Sequence, residues 1–309
     1  MDTQLTDRRI SYLKKNIQMK LTAFAIVLIL LYSCNNEKNA TALVKSSKDE
    51  SVKSKVKPPA VVIPEVKHGI EGFYTGKFEP SKYDESKEYF YNKITICIDS
   101  LNGNMVYGHS VVAGNSRLFS GLYKKSGEEY SVIAKEPGDN KYDGGFEFKV
   151  NTTEKKLTGL WKSNDAKLAV TERTYELEFR PYKYDSSLKL SEYIIDEMIH
   201  GTYNEETEKA ERLTDAVFNK NASSTLLKTS DVENMYSADL EVLRNSIYAR
   251  HGYSFKNLRM RTLFDSYVDW YMPVTTDVSS LLTEIEKKNI ALIKRYEKHA
   301  EKYYDAFGR

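Results

Sequence analysis

Cysteine is nearly missing: two residues, Cys34 and Cys97, serve a chain of 309. If Cys34 is spent elsewhere, no disulfide framework can form within one chain, whatever its compartment. Histidine is almost as scarce. The five that occur (His68, His109, His200, His251 and His299) are isolated in sequence, and none has a second ligand type at metal spacing. No metal and no cofactor is expected from that pattern. The G-x-S-x-G, H-E-x-x-H, P-loop, C-x-x-C and G-x-G-x-x-G signatures are absent too, which removes the enzyme classes they mark and leaves no catalytic residue to name. Only a site assembled from distant residues remains open, since such a site leaves no local trace.

Long apolar runs are also lacking. The longest, Leu21 to Ser33, has 13 residues, short of the roughly 20 that a membrane-spanning helix needs. It follows a basic flank (Arg8, Arg9, Lys14, Lys15, Lys20) and ends L-L-Y-S-C, which is the layout of an export signal. The ending resembles the lipobox cut by the lipoprotein signal peptidase, although Tyr32 is bulkier than the usual residue. Residues 1–33 are therefore expected to be a lipoprotein signal peptide and Cys34 the lipidated first residue, with Met19-Lys20 a second candidate start. Without residues 1–33 the chain has 41 Lys+Arg against 42 Asp+Glu, so its net charge is −1 rather than +2. No global basic excess then argues for nucleic acid, and the expected partner is a membrane, reached through the acyl anchor.

What is abundant is tyrosine, 23 residues in a chain that is 40% hydrophobic, a globular composition long enough for two cores. Residues 34–69 carry no Phe, Tyr or Trp and hold Pro58, Pro59 and Pro64 among Lys, Ser and Asn, the composition of a tether. From about 70 to 184 the pattern changes to short alternating runs: 73–78, 91–98, 105–112, 117–123, 130–134, 146–150, 157–161 and 175–179 all read as strands. Asn102-Gly103, Ser126-Gly127, Asp143-Gly144 and Asn151 punctuate them at hairpin spacing. Eight sequential antiparallel strands with short turns close most economically into an up-and-down barrel, either packed solid or holding one small ligand. Ile94, Ile96 and Ile98 should share one face, with Thr95 and Cys97 on the other, so Cys97 reads as an inert thiol. In the loop 136–145, Asp139 and Asp143 mimic half of a calcium loop, but Lys141 takes a ligand position and a polar hairpin is the better account.

Residues 185–225 read as a mostly helical connector. Beyond them, Ser237 reads as an N-cap, Leu240, Leu243 and Ile247 recur at helical spacing, and Gly252 supplies the left-handed residue of a helix C-cap, with Tyr253 folded back on Tyr248. Ser230-x-x-Glu233 and Thr283-x-x-Glu286 read as capping boxes, the second opening a long helix with the stripe Ile285, Asn289, Leu292, Ile293, Tyr296, His299, Ala300 and Tyr303. Asn289, inside that stripe, should hydrogen-bond a buried backbone group. The stretch L-R-N-S-I-Y-A-R-H-G-Y-S-F at 243–255, then Phe264, W-Y-M-P at 270–273 and L-T-E-I-E-K-K-N-I at 282–290 together resemble the YARHG domain, a small module of bacterial envelope proteins. The likeness spans about 226–297, and Tyr248, Gly252, Tyr253, Trp270 and Asn289 are its structural positions here. It implies a helical, extracytoplasmic module of lipoproteins and other exported proteins, and it implies no particular reaction.

The expected fold is thus α+β: an antiparallel up-and-down barrel of about eight strands, then a small all-helical domain over 226–309. Between Val242 and Phe264 lie Arg244, Arg250, Lys256, Arg259 and Arg261 with His251 and no acid, so this cluster is a candidate seat for an anionic ligand. Its plainer reading has Arg244 and Arg250 paired with Asp265, Asp269, Glu284 or Glu286, and His251 bonding a carbonyl at the helix end. The expected function is that of a non-catalytic lipoprotein of the cell envelope, at the outer membrane and facing the periplasm or the surface, which binds an anionic or carbohydrate envelope component. The alternatives are an envelope glycan hydrolase with its site between barrel and YARHG domain, and a small-ligand carrier acting through the barrel. A hollow or a filled barrel separates them.

Overall fold

The computed structural model describes residues 61, 63–190, 202–204, 209–211 and 213–304. The expected signal peptide, Cys34 and most of the tether lie outside the described residues. All eight expected strands are present, and all but β3, which coincides with its run, are longer than their apolar runs: β1 Gly72–Tyr83, β2 Asn92–Asn102, β3 Met105–Val112, β4 Asn115–Ser126, β5 Glu129–Lys135, β6 Gly144–Asn151, β7 Lys156–Ser163 and β8 Val170–Phe179. Each pairs antiparallel with the next, and β1 pairs with β8, so the sheet is a closed barrel. Closure leaves no edge to aggregate. Ile94, Ile96 and Ile98 point inward to meet Val106, Phe119, Phe148, Val150, Leu157 and Leu177.

The two ends differ. At one end the turns are short, and the segment before β1 folds across the opening: Ile70 is fully buried, Tyr74 Oη donates to its carbonyl at 3.0 Å and Tyr130 Oη donates to that of His68 at 3.0 Å. That end is plugged. At the other end, residues 84–91, 136–143 and 164–169 form longer loops around an opening.

The outer face of β2 is not exposed. Thr95 and Cys97 are fully buried, Cys97 with Phe73 against Met272 and Val274 of the C-terminal region. That region is built from α1 Asp215–Asn219, α2 Thr229–Val232, α3 Ser237–Arg250, α4 Leu258–Tyr267 and α5 Glu284–Tyr303. Its core is Leu240, Leu243, Ile247, Phe255, Leu263, Phe264, Tyr271 and Ile293. It grips the barrel through polar bonds as well: Asp265 Oδ2 accepts from the Lys93 N–H at 2.8 Å, Lys93 Nζ donates to the Tyr271 carbonyl at 3.1 Å, and Ser254 Oγ accepts from the Gly114 N–H at 2.9 Å.

Several local expectations need correction. The connector is not mainly helical among the described residues. Thr202–Asn204 (β9) and Lys209–Glu211 (β10) pair antiparallel, as the β-preferring Thr202 and Tyr203 allow, and only α1 is helical. The N-cap of α3 is Tyr236 rather than Ser237, because Asp239 supplies the capping carboxylate. It accepts from the Tyr236 N–H at 3.4 Å and from Thr214 Oγ1 at 2.7 Å. Likewise Asp231, accepting from the Lys228 N–H at 2.7 Å, starts α2 in place of the Ser230–Glu233 box. The Thr283–Glu286 box forms as expected, with reciprocal bonds of 3.3 and 2.9 Å. The buried stripe of α5, however, is Glu286, Asn289, Ile290, Ile293 and Ala300. Ile285 and Tyr303 face solvent, because Glu286 and Asn289 have inward partners and set the helix rotation.

Candidate functional site

The Y-A-R-H-G stretch ends α3 in the expected Schellman geometry. The Tyr253 N–H donates to the Tyr248 carbonyl at 3.1 Å, the Gly252 N–H to the Ala249 carbonyl at 2.9 Å, and Gly252 sits at φ +70°. The Gly252 carbonyl then accepts from the Val274 N–H at 2.8 Å and the Thr275 N–H at 3.1 Å, so the turn is stapled to the strand-like segment after W-Y-M-P. Trp270 Nε1 donates to the Lys189 carbonyl at 2.6 Å. Asn289 makes all the bonds its amide can orient here: Oδ1 accepts from the Leu227 N–H at 2.9 Å, and Nδ2 donates to the Ala222 and Thr225 carbonyls at 2.7 Å each.

The six basic candidates do not form one cluster: four of them are drawn to separate partners, and Lys256 and Arg261 point elsewhere. Arg244 meets Glu297 at 2.8 Å, and none of the four acids expected for it. Arg250 is buried without a carboxylate, and donates to the Leu188 carbonyl at 2.9 and 2.7 Å and to Ser246 Oγ at 2.9 Å. His251 does not bond a helix-end carbonyl through Nε2. That atom meets Glu286 Oε2 at 2.7 Å, with the ring stacked on Tyr184 at 4.3 Å. Against the upward push of burial, the His251 bond and the Thr283 N–H hold Glu286 below the usual carboxylate range. Lys256 is exposed, with its stem laid against Gly114. Arg259 pairs with Glu241. Arg261 alone points into the open end of the barrel.

That opening is a cavity of about 520 Å³, within the roughly 300–1,000 Å³ of small-molecule sites. Its walls are aromatic (Phe78, Phe90, Phe146, Trp161) and its rim polar, and α4 roofs it with Arg261. On β8, Arg173 donates to the carbonyls of Phe78 at 2.9 Å and Phe90 at 3.1 Å. Its guanidinium lies 5.1 Å from the centre of the Phe78 ring, and that of Arg261 lies 5.9 Å from the centre of the Phe90 ring. Among the described residues the ion-paired arginines are Arg117, Arg244 and Arg259, so neither mouth guanidinium is neutralised. Burial, and after it the charge of Arg261, pushes Arg173 down to about 10. Burial also lowers Arg261, with the Asp265 charge opposing. Two side-chain atoms of the mouth, Asn92 Oδ1 and Arg261 Nε, are buried and bond no described group.

Of the three acids that line the opening, Glu88 is exposed at the rim and the other two are engaged. Asp143 is fully buried in the 136–145 loop and accepts from Arg117 Nε at 2.8 Å and Nη2 at 2.6 Å, from the Gly138 N–H at 2.8 Å and from the Asn140 N–H at 3.2 Å. Glu136, raised by burial, accepts from the Gly144 N–H at 2.7 Å, Ser110 Oγ at 3.1 Å and Trp161 Nε1 at 3.3 Å. Sequence reading missed Arg173 and Asn92 altogether, and the one signal that could have found Arg173 is a lone arginine among the inward-facing positions of a strand.

Fold and mouth together define a closed eight-stranded barrel joined to a helical module that completes its open end. Residues 215–298 match the YARHG domain family, so this is a YARHG domain-containing protein, and the domain starts at α1, earlier than its motifs alone suggest. No curated protein matches the chain.

Proposed function

We propose that this protein is a non-catalytic envelope lipoprotein, anchored through Cys34, which holds a small anionic envelope component in the barrel mouth beneath the YARHG domain. The observation that carries the reading is a plugged barrel whose open end holds two guanidiniums, Arg173 and Arg261, that no carboxylate ion-pairs among the described residues. A partly buried pair of like charges without an ion-pair partner is costly, and an anion relieves it. Aromatic walls suit a sugar ring or an apolar body, Arg261 Nε can donate to the ligand, and Asn92 Oδ1 can accept a hydroxyl. The occupied lone pairs of Asp143 and Glu136 favour binding over glycan hydrolysis, which needs a free carboxylate pair.

The test is titration of the soluble chain with uronic acids and acidic peptidoglycan fragments, read by Trp161 fluorescence. Binding should weaken as salt rises, and should fall by roughly tenfold or more in Arg173→Gln and Arg261→Gln. Binding that neither variant alters would overturn the assignment of the mouth. For the anchor, Cys34→Ala should move the protein from the detergent phase to the aqueous phase, and retention with membranes would refute it.

A further inference from the structure

A second group of side chains lies on the outer wall of the barrel, away from the mouth. Cys97 on β2 and His109 on β3 are direct partners in the antiparallel ladder, so both leave the sheet on the same side. The ladder slips between Ile98 and Ser100, and this bulge turns both Asp99 and Ser100 outward while Ile98 and Leu101 keep their places in the core. In consequence one ligand atom each from Cys97, Asp99 and His109 falls within 4.8 Å of the others, and His109 Nδ1 stands 3.0 Å from Asp99 Oδ2.

We propose that Cys97, Asp99 and His109 form a transition-metal site suited to Zn²⁺. A thiolate, an imidazole and a carboxylate are the three donor types that zinc accepts, and this mixture disfavours the hard cations Mg²⁺ and Ca²⁺. Tetrahedral bonds of about 2.0–2.3 Å put ligand atoms roughly 3.3–3.7 Å apart, so the three reach a common centre by small side-chain rotations. Three protein ligands leave one position open to solvent. Access comes from one side only: the His109 and Asp99 side chains are 19% and 36% exposed, whereas Cys97 is sealed under Phe73, Met272 and Val274. That apolar cover shields the sulfur–metal bond from water. Binding exchanges the Cys97 S–H proton for the cation and releases the proton to solvent. Met272 and Val274 belong to the YARHG domain, so the site sits on the seam between the domain and the barrel, and occupancy should stiffen it. Sequence spacing hid the site because its ligands meet only through strand register.

The probe is Co²⁺ alone, added to the full chain carrying Cys34→Ser so that Cys97 is the only thiol. A near-ultraviolet thiolate-to-cobalt band should grow to saturation at one equivalent and be bleached by Zn²⁺. Cys97→Ser should abolish it. Since a serine at that buried position could also disturb folding, His109→Gln and Asp99→Asn at the solvent edge supply the second arm, and each should weaken Co²⁺ binding by roughly tenfold or more. No band in the parent chain, or a band of undiminished affinity in both edge variants, overturns the proposal.

Discussion

Substituting Gly252 by alanine tests the organising turn of the YARHG domain. Positive φ costs a β-carbon about 1 kcal/mol relative to glycine. Space adds a second cost: the new methyl would collide with Val274 Cγ2 and stand 3.2 Å from both the Met272 carbonyl oxygen and Tyr182 Cε2. Val274 cannot easily recede, because its own N–H and that of Thr275 are bonded to the Gly252 carbonyl, and its branched side chain is stiff. Overpacking of this kind costs about 1–3 kcal/mol, for a total near 2–4 kcal/mol. The chain has two tryptophans, Trp161 in the barrel and Trp270 in the helical domain, so single-tryptophan variants report each part separately in urea titrations. Gly252→Ala should lower the Trp270 midpoint, and adding Val274→Ala should recover part of the loss through favourable coupling between the two sites. An unchanged midpoint with an unchanged slope would refute the account of this turn.

Three further outcomes follow from buried polar groups. Burial pushes Asp265 up to about 7, against the Lys93 N–H and the Lys93 and Arg261 charges, while burial pushes Lys93 down to about 8. The folded state then holds an extra proton on Asp265 between about pH 4 and 7, so stability falls as pH rises through that window, by at most about 4 kcal/mol, and Lys93 restores stability above pH 8; Asp265→Asn should flatten the acid limb in thermal melts, and an unaltered curve would contradict the assignment. Arg250→Gln removes the bonds of a buried guanidinium to the half-buried Leu188 carbonyl and to Ser246 Oγ and should cost about 1–3 kcal/mol, and Arg244→Gln leaves Glu297 unpaired in a contact whose side chains are only 19% and 20% exposed and should cost at least as much; a negligible loss for either in denaturation would contradict the assignment. Asn289→Ala leaves two buried backbone groups and a part-buried third unpaired and should cost at least about 2 kcal/mol, and a loss below 1 kcal/mol would mean that water replaces the amide.

The barrel was legible because each strand alternates and each turn announces itself; strand ends were not, since Tyr83 and Ser126 continue ladders beyond the apolar runs. The helix stop at Gly252 and the amide bonds of Asn289 were legible for the same local reason: a positive φ and a polar residue in an apolar stripe each have few solutions. The electrostatics were not legible. Arg244 finds Glu297 and His251 finds Glu286 across the fold, while Arg173 lies outside the 175–179 run that reads as a strand, and only the docking of α4 over the mouth brings Arg261 to it. Sequence neighbours of like charge proved to be spatial strangers: Arg244 and Arg259 found carboxylates, Arg250 found neutral acceptors, and Arg261 found the barrel mouth.

The seam formed by Phe73, Cys97, Met272 and Val274 has a consequence for handling the protein in pieces. Cut after β8, the barrel would present Phe73 and Cys97 to water. In an oxidising compartment an uncovered thiol couples to its twin in another molecule. The helical domain thus acts as a chemical guard as well as a roof. Attack by a membrane-impermeant thiol reagent on Cys97 becomes a clock for how often the two halves part.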